Sequence, residues 1–374
     1  MKILSVFGTR PEAIKMAPVI EAIARTPGMQ GVVCVTAQHR QMLDQVLALF
    51  SLSVHHDLDL MHPAQSLSQL ASRILLGVEK VLAAETPDLV LVHGDTTTSF
   101  ATALAAFHAG IAVGHVEAGL RTRDLDRPFP EEGNRQLTGR LARFHFAPTP
   151  QARENLLAEA IPPERIHVTG NTVIDALLKV HAGLPRERTE RSLLLGAELA
   201  PVLASDRPLL LVTGHRRENF GDGLTRVCLA LKELARSRSE LIILYPVHLN
   251  PQVLGPVRDL LGGIGNIHLT APVDYRQIVT LIDRAHLVLT DSGGIQEEAP
   301  ALGKPVLVMR EVTERPEALA AGTVRLVGTD ARRIVAEVGR LFDDPDHYRG
   351  MATARNPYGD GRAGERIAAI LRGS

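Results

Sequence analysis

The stretch Leu287-Val288-Leu289-Thr290-Asp291-Ser292-Gly293-Gly294-Ile295-Gln296-Glu297-Glu298 reads as a buried strand running into the start of a helix. Two glycines at that junction let a ligand approach the backbone closely. The first N–H groups of a helix have no partner within it and carry the positive end of its dipole, so an anion such as phosphate suits the position. Glu297 or Glu298, just inside the helix, offers acceptors for neutral hydroxyls such as those of a ribose. A nucleotide meets both demands. The same octapeptide, Asp291 to Glu298, is also an ordinary strand-to-helix turn, and a Glu in a first helical turn favours the dipole with no ligand present.

The strand-to-helix pattern recurs along the chain. Ile3 to Phe7, Val32 to Thr36, Leu89 to His93 and Ala112 to Val116 are short apolar runs separated by stretches of helical length, as are Leu209 to Thr213, Leu241 to Val247, Leu287 to Thr290 and Val306 to Met309. This is the pattern of an α/β protein with parallel sheets and crossover helices. Ligands of open α/β sheets bind beyond the carboxyl ends of the strands, where nearly every run here meets Gly, Asp, His or Glu. At 374 residues the chain exceeds the usual size of one core, and two domains are expected, with a boundary at Thr169-Gly170-Asn171. Leu184 to Pro208 reads as helix and loop entering the second domain, and Ala354 to Gly364 as a loop before a last helix.

Hydrophobic residues make up 45% of the chain and charged residues 22%, the balance of a globular protein. A net charge of -1 gives no electrostatic case for nucleic acid or acidic membranes as partners. Cys34 and Cys228, each inside an apolar run, read as buried free thiols in a reducing compartment. The N-terminal apolar run is too short for a signal peptide and no run approaches membrane-spanning length, so a cytoplasmic protein is expected.

Gly8-Thr9-Arg10-Pro11-Glu12-Ala13-Ile14-Lys15 again joins a strand to a helix, with Pro11 suited to the first turn. Arg10 and Lys15 near that positive terminus read either as solvated cations or as groups awaiting a diphosphate. No Gly-x-Gly-x-x-Gly follows, so the dinucleotide fingerprint is absent. Asp95 follows the third run, Glu117 the fourth, and Pro128-Phe129-Pro130-Glu131-Glu132 places two further carboxylates after a stiffened turn. Asp95, Glu117 and Glu131 are candidates to converge as acid/base groups, although each is also a common cap or ion-pair residue. His93-Gly94-Asp95 invites a dinuclear metal reading, but beyond His115 and Glu117 no ligand cluster completes it. No metal is expected, and His93 and His115 are taken as structural. In the second half, Thr213-Gly214-His215-Arg216-Arg217-Glu218-Asn219 brings an imidazole and two guanidiniums to a strand end. Tyr245-Pro246-Val247-His248 and Thr313-Glu314-Arg315-Pro316-Glu317 end two more strands.

Taken in this order, Asp95-Thr96-Thr97-Thr98, Glu117-Ala118-Gly119-Leu120-Arg121, Gly214-His215-Arg216-Arg217-Glu218-Asn219, Asp291-Ser292-Gly293-Gly294 and Thr313-Glu314-Arg315-Pro316-Glu317 closely resemble the non-hydrolysing UDP-N-acetylglucosamine 2-epimerases of bacteria, over nearly the whole chain. The resemblance implies two Rossmann-like domains in the GT-B glycosyltransferase fold with a ligand cleft between them. The expected domains are 1–169, with a C-terminal helix in 357–374 packing back on it, and a UDP-binding domain at 170–356. It also implies interconversion of UDP-GlcNAc and UDP-ManNAc through elimination of UDP to 2-acetamidoglucal, with no cofactor, in a homodimer. By family analogy, Asp95, Glu117, Glu131 and His215 are the catalytic candidates. Ser292, Gly293 and Gly294 would hold the diphosphate, Glu298 the ribose, and Val273 and Ile278 the base. Arg315 and His215 would lie nearby, with Arg10 and Lys15 reaching from the first domain. Some members bind a second UDP-GlcNAc as activator; the matching positions are Gln38, Gln41, Gln65 and His248, although Ala64 stands where some members carry an Arg. A GT-B glycosyltransferase using a UDP-sugar donor is the alternative reading.

Overall fold

The computed structural model describes residues 1–36, 40–62, 65–214, 216–313 and 315–373, with the side chains of Arg40, Gln41, Met42 and Arg217 excepted. It divides into two compact units, Met1–Ala176 with Tyr358–Ser374, and Leu177–Pro357.

In the first unit, β1 (Lys2–Phe7), β2 (Gln30–Val35), β3 (His56–Asp57), β4 (Leu89–His93), β5 (Ala112–Val116), β6 (Phe144–Ala147) and β7 (Ile166–Val168) form a sheet ordered β3-β2-β1-β4-β5-β6-β7. Every pairing is parallel. The central strands read as unbroken apolar runs because helices cover both faces: Ile3, Leu4, Val6 and Phe7 of β1 and Leu89 to Val92 of β4 are fully buried.

The second unit repeats the design with β8 (Leu209–Thr213), β9 (Ile242–Pro246), β10 (Ile267–Thr270), β11 (Leu287–Thr290), β12 (Val306–Val308) and β13 (Val324–Leu326), ordered β10-β9-β8-β11-β12-β13 and again parallel. Chain direction across the sheet reverses between β1 and β4 in one unit and between β8 and β11 in the other. At such switch points neighbouring loops diverge and leave a crevice beyond the strand ends. The loops after β1, β4, β8 and β11 are therefore where each unit presents its polar residues.

The units change over inside the helix after β7, between Ala176 and Leu177, beyond the 169/170 boundary expected from sequence. The C-terminal segment holds the extra residues: the Asn171 N–H donates to Tyr358 O at 2.7 Å, and Asp175 Oδ1 accepts the Gly364 N–H at 2.8 Å. The last helix, Ala363–Arg372, packs on the helix Arg10–Arg25, where a Cβ on Gly364 would stand 2.7 Å from Pro18 O. Leu184 to Pro208 contains the helices Arg188–Leu194 and Gly196–Ala204. Among the described residues, no helix is long and apolar enough to cross a membrane.

Candidate functional site

At the switch point of the first unit one carboxylate ties two loops together. The helix Arg10–Arg25 opens with a capping box in which Thr9 Oγ1 accepts the Glu12 N–H and Glu12 Oε2 accepts the N–H groups of Gly8 and Thr9 at 3.1 and 2.8 Å. The other oxygen, Oε1, accepts the hydroxyls of Thr96 and Ser99 at 2.6 and 3.2 Å. Burial raises the pKa of Glu12 and these hydrogen bonds oppose the rise. Sequence reading missed this residue, although Thr9-x-x-Glu12 is the spacing of a capping box.

Lys15 projects from the same helix and is buried in an ion pair with Glu117 Oε2, so it is not a solvated surface cation. Glu117 follows β5 at φ 61°, the left-handed region that residues with a Cβ seldom occupy. The side chain of Asn171 donates to Glu117 Oε2 at 2.9 Å, and His93 Nε2 lies 3.8 Å from that oxygen. Burial pushes His93 down to about 4 against the pull of Glu117, so the ring is neutral at pH 7. His115 Nε2 pairs with Gly94 O at 2.7 Å, and burial lowers its pKa to about 3. Arg10 is half-buried.

Asp95 Oδ2 accepts from Arg135 at 2.6 Å, and the Asn134 side chain donates to Asp95 O at 3.0 Å. Desolvation raises the Asp95 pKa; Arg135 lowers it, and the charges of Glu117 and Glu131 raise it again. Asp95 thus feels the charges of both Glu117 and Glu131. The adjacent pair Glu131 and Glu132 divides in role. Glu132, fully buried, accepts the N–H groups of Thr122 and Arg123 at 3.0 and 3.1 Å and the Gln136 amide at 2.8 Å. Burial works to raise its pKa, but these bonds and Arg135 outweigh it and leave the group below the usual carboxylate range. Glu131 Oε2 is buried with no hydrogen-bond partner among the described residues. A buried carboxylate oxygen left without a donor is costly unless a ligand or a proton completes it.

In the second unit, Thr213 and Thr290 face each other across β8 and β11 with their hydroxyls 2.6 Å apart, and Thr290 Oγ1 accepts the Ser292 N–H at 2.9 Å. Buried Asp291 braces the neighbouring loop, its Oδ2 accepting the Arg216 N–H at 2.9 Å and the Asn219 amide at 3.2 Å. The helix Gly293–Ala301 then starts without a side-chain cap from Ser292. Over its first residue lies the guanidinium of Arg315: a Cβ on Gly293 would stand 2.7 Å from Arg315 Nη1 and 2.8 Å from Cζ. Glu297, 1% exposed, accepts from Arg315 Nε at 2.6 Å, and Thr313 bonds Gln296 Oε1 at 2.9 Å. Held there by Glu297, the Arg315 guanidinium adds cationic N–H donors to the first turn of a helix that Ser292 does not cap, an arrangement that suits an anion. Glu297, read as a possible ligand for hydroxyls, is instead committed to Arg315. Glu298 Oε1 accepts the Tyr275 hydroxyl at 2.7 Å. This contact ties the helix Tyr275–Arg284 and the preceding loop to the glycine turn, and half-buried Val273 and Ile278 come with them.

Residues 21–372 match the family model of UDP-N-acetylglucosamine 2-epimerase. The chain is 59% identical over 375 residues to the UDP-N-acetylglucosamine 2-epimerase of Salmonella typhimurium, covering 100% of this chain and 98% of that protein. The chain belongs to the UDP-N-acetylglucosamine 2-epimerase family. The family member of Escherichia coli K12 is 57% identical over 375 residues, covering 100% of this chain and 98% of its own. The crystal structure of the Neisseria meningitidis UDP-GlcNAc 2-epimerase bound to UDP-GlcNAc superposes with a TM-score of 0.93 at 49% identity, covering 100% of both chains. The fold is α/β with two Rossmann-like domains of the GT-B type.

Beside the family candidates, Asn171, Arg135 and Tyr275 are residues that sequence reading did not single out. Each acts on a group from a distant part of the chain, which a local pattern does not display. His215 and Gln38 lie outside the described residues, as do Ala64 and the side chain of Gln41. Gln65 Oε1 accepts from Arg73 at 2.9 Å, and exposed His248 accepts the Asn250 N–H at 3.1 Å. Among the described residues, no group of three or more His, Cys, Asp or Glu is placed to hold a metal ion.

Proposed function

We propose that this chain interconverts UDP-N-acetylglucosamine and UDP-N-acetylmannosamine without hydrolysis. The observation that carries the reading is the Arg315 guanidinium over the uncapped start of the helix Gly293–Ala301 in a member of this family. The hydrogen on sugar C2 is not acidic, and no nicotinamide fingerprint is present in the sequence. A route consistent with both removes UDP first. A base takes the C2 proton, the C–H pair forms the C1=C2 bond, and the C1–O pair leaves with the diphosphate to give 2-acetamidoglucal. In return, a diphosphate oxygen attacks C1 while C2 receives a proton on the opposite face.

Charge grows on the diphosphate as it leaves, and pre-placed donors stabilise it there: Arg315, with the N–H groups at Gly293 and Gly294 and the Ser292 hydroxyl. Glu298 serves the ribose, and Val273 and Ile278 the base. Asp95, Glu117, Glu131 and His215 are the proton-transfer set. Within the set, Glu117 is ion-paired to Lys15 and Asp95 to Arg135, so each carboxylate is held beside a cation. Arg10 adds positive charge for the phosphates. Gln38, Gln41, Gln65 and His248 are the positions proposed for a second, activating UDP-GlcNAc, in a cytoplasmic homodimer.

Incubation with UDP-GlcNAc followed by chromatography and NMR tests the reading. UDP-ManNAc is expected to accumulate to an equilibrium mixture. Free N-acetylmannosamine with stoichiometric UDP would overturn it.

A further inference from the structure

Glu117 is held by a neighbour that no motif of the reaction includes. Asn171, 2% exposed, sits in the turn after β7 with its backbone N–H on Tyr358 O at 2.7 Å. Its Oδ1 accepts the Val173 N–H at 3.0 Å, which fixes which end of the amide is which and turns the NH2 group toward Glu117 Oε2 at 2.9 Å. Lys15 pairs with the same carboxylate oxygen. Two donors from different elements on one oxygen fix the plane of the carboxylate, which its left-handed backbone alone does not. Val173 also explains why a residue of this shape stands there: an amide both caps the helix and donates outward, and neither aspartate nor serine does both.

We propose that Asn171 is a positioning residue for proton transfer at C2, aiming the Glu117 carboxylate through its side-chain N–H. The proposal rests on Glu117 being one of the proton-transfer groups. Small misplacements of a reacting group cost on the order of 100-fold in rate while leaving remote binding contacts untouched. Asn171 therefore acts on kcat rather than on UDP affinity.

Asn171→Asp keeps the acceptor for Val173 and removes the donor to Glu117. Asn171→Ser keeps a hydroxyl within reach of Val173, falls short of Glu117 and adds no charge, and so serves if the aspartate variant does not fold. Each is measured for kcat, for UDP affinity by calorimetry and for melting temperature, alone and on a Glu117→Gln background. The expected result is a kcat lower by roughly 10- to 100-fold with UDP affinity within about threefold of the parent, and little further loss on the Glu117→Gln background. Parent-like kcat in a folded Asn171 variant, with Glu117→Gln inactive, would overturn the proposal alone. Loss of kcat and UDP affinity in step would also overturn it, since that is the behaviour of a merely structural residue. Full activity in Glu117→Gln would overturn the role of Glu117 itself.

Discussion

Arg315→Gln separates the part Arg315 plays in folding from the part it plays in holding a diphosphate. The Arg315 side chain is 12% exposed and its partner Glu297 only 1%, so replacing the guanidinium by a shorter, neutral amide leaves a buried carboxylate without its ion pair. Breaking a buried pair from one side costs about 3–5 kcal/mol of stability, whereas neutralising both sides costs little. The same guanidinium lies over Gly293, where a charge-assisted hydrogen bond to a phosphate oxygen contributes about 1.5–3 kcal/mol. At about 1.4 kcal/mol per tenfold, that is roughly a 10- to 100-fold change in the Kd for UDP. Urea denaturation and calorimetric titration with UDP on Arg315→Gln, Glu297→Gln and the double variant read the two effects apart. Arg315→Gln is expected to lose both stability and affinity. The double variant is expected to regain most of the stability while UDP binding stays weak. Recovery of UDP affinity along with stability would refute the argument, because Arg315 would then act only by neutralising Glu297.

Two further outcomes follow from buried carboxylates. Burial raises the folded-state pKa of Asp175 from 3.8 to about 6. The native state thus holds the proton more tightly than the unfolded chain. The penalty is absent below the unfolded value, grows as pH rises from 3.8 to about 6 and is complete above, at up to about 3 kcal/mol, a net figure in which the hydrogen bond from Gly364 already opposes the effect of burial. Asp175→Asn retains the acceptor for Gly364 and is expected to be more stable than the parent at about pH 7.5, above both values, the gap closing toward about pH 4 in urea melts; curves that stay parallel would count against the assignment. Glu131→Gln is expected to cut turnover by on the order of 100-fold or more with an unchanged melting temperature, while Glu132→Gln, which places an NH2 group against backbone donors, is expected to lower stability by about 1–3 kcal/mol. Turnover assays and thermal melts on the pair decide it, and the reverse pattern would exchange the two roles.

The eight central strands were legible because burial on both faces leaves unbroken runs such as Leu209 to Thr213 and Leu287 to Thr290. β3, β6, β10 and β13 were not read. His145 and His268 interrupt the apolar runs of β6 and β10, Arg325 interrupts that of β13, and β3 is two residues paired to Cys34 and Val35 of its neighbour. These strands exist because an adjacent edge offers hydrogen bonds, which local composition does not record. The turn from Asp291 to Glu298 was readable as either a cap or an anion site, and only Arg315, folded over Gly293 from the loop after β12, favours one. Lys15 posed the opposite difficulty. Its position near a helix start suggested an absent anion, whereas its partner is Glu117, a carboxylate 102 residues further along the chain. Thr9 and Glu12 did display their pairing in sequence, at the Thr-x-x-Glu spacing of a capping box.

Elimination and return of UDP make one demand that direct transfer of the sugar does not: the C2 hydrogen must exchange with solvent in every turnover. Incubation of the protein with UDP-GlcNAc in deuterated water, followed by NMR and mass analysis of the UDP-sugars, measures this directly. The account predicts UDP-ManNAc carrying one deuterium at C2, and the same label entering the remaining UDP-GlcNAc as the reaction reverses. UDP-ManNAc formed with its C2 protium retained would contradict it.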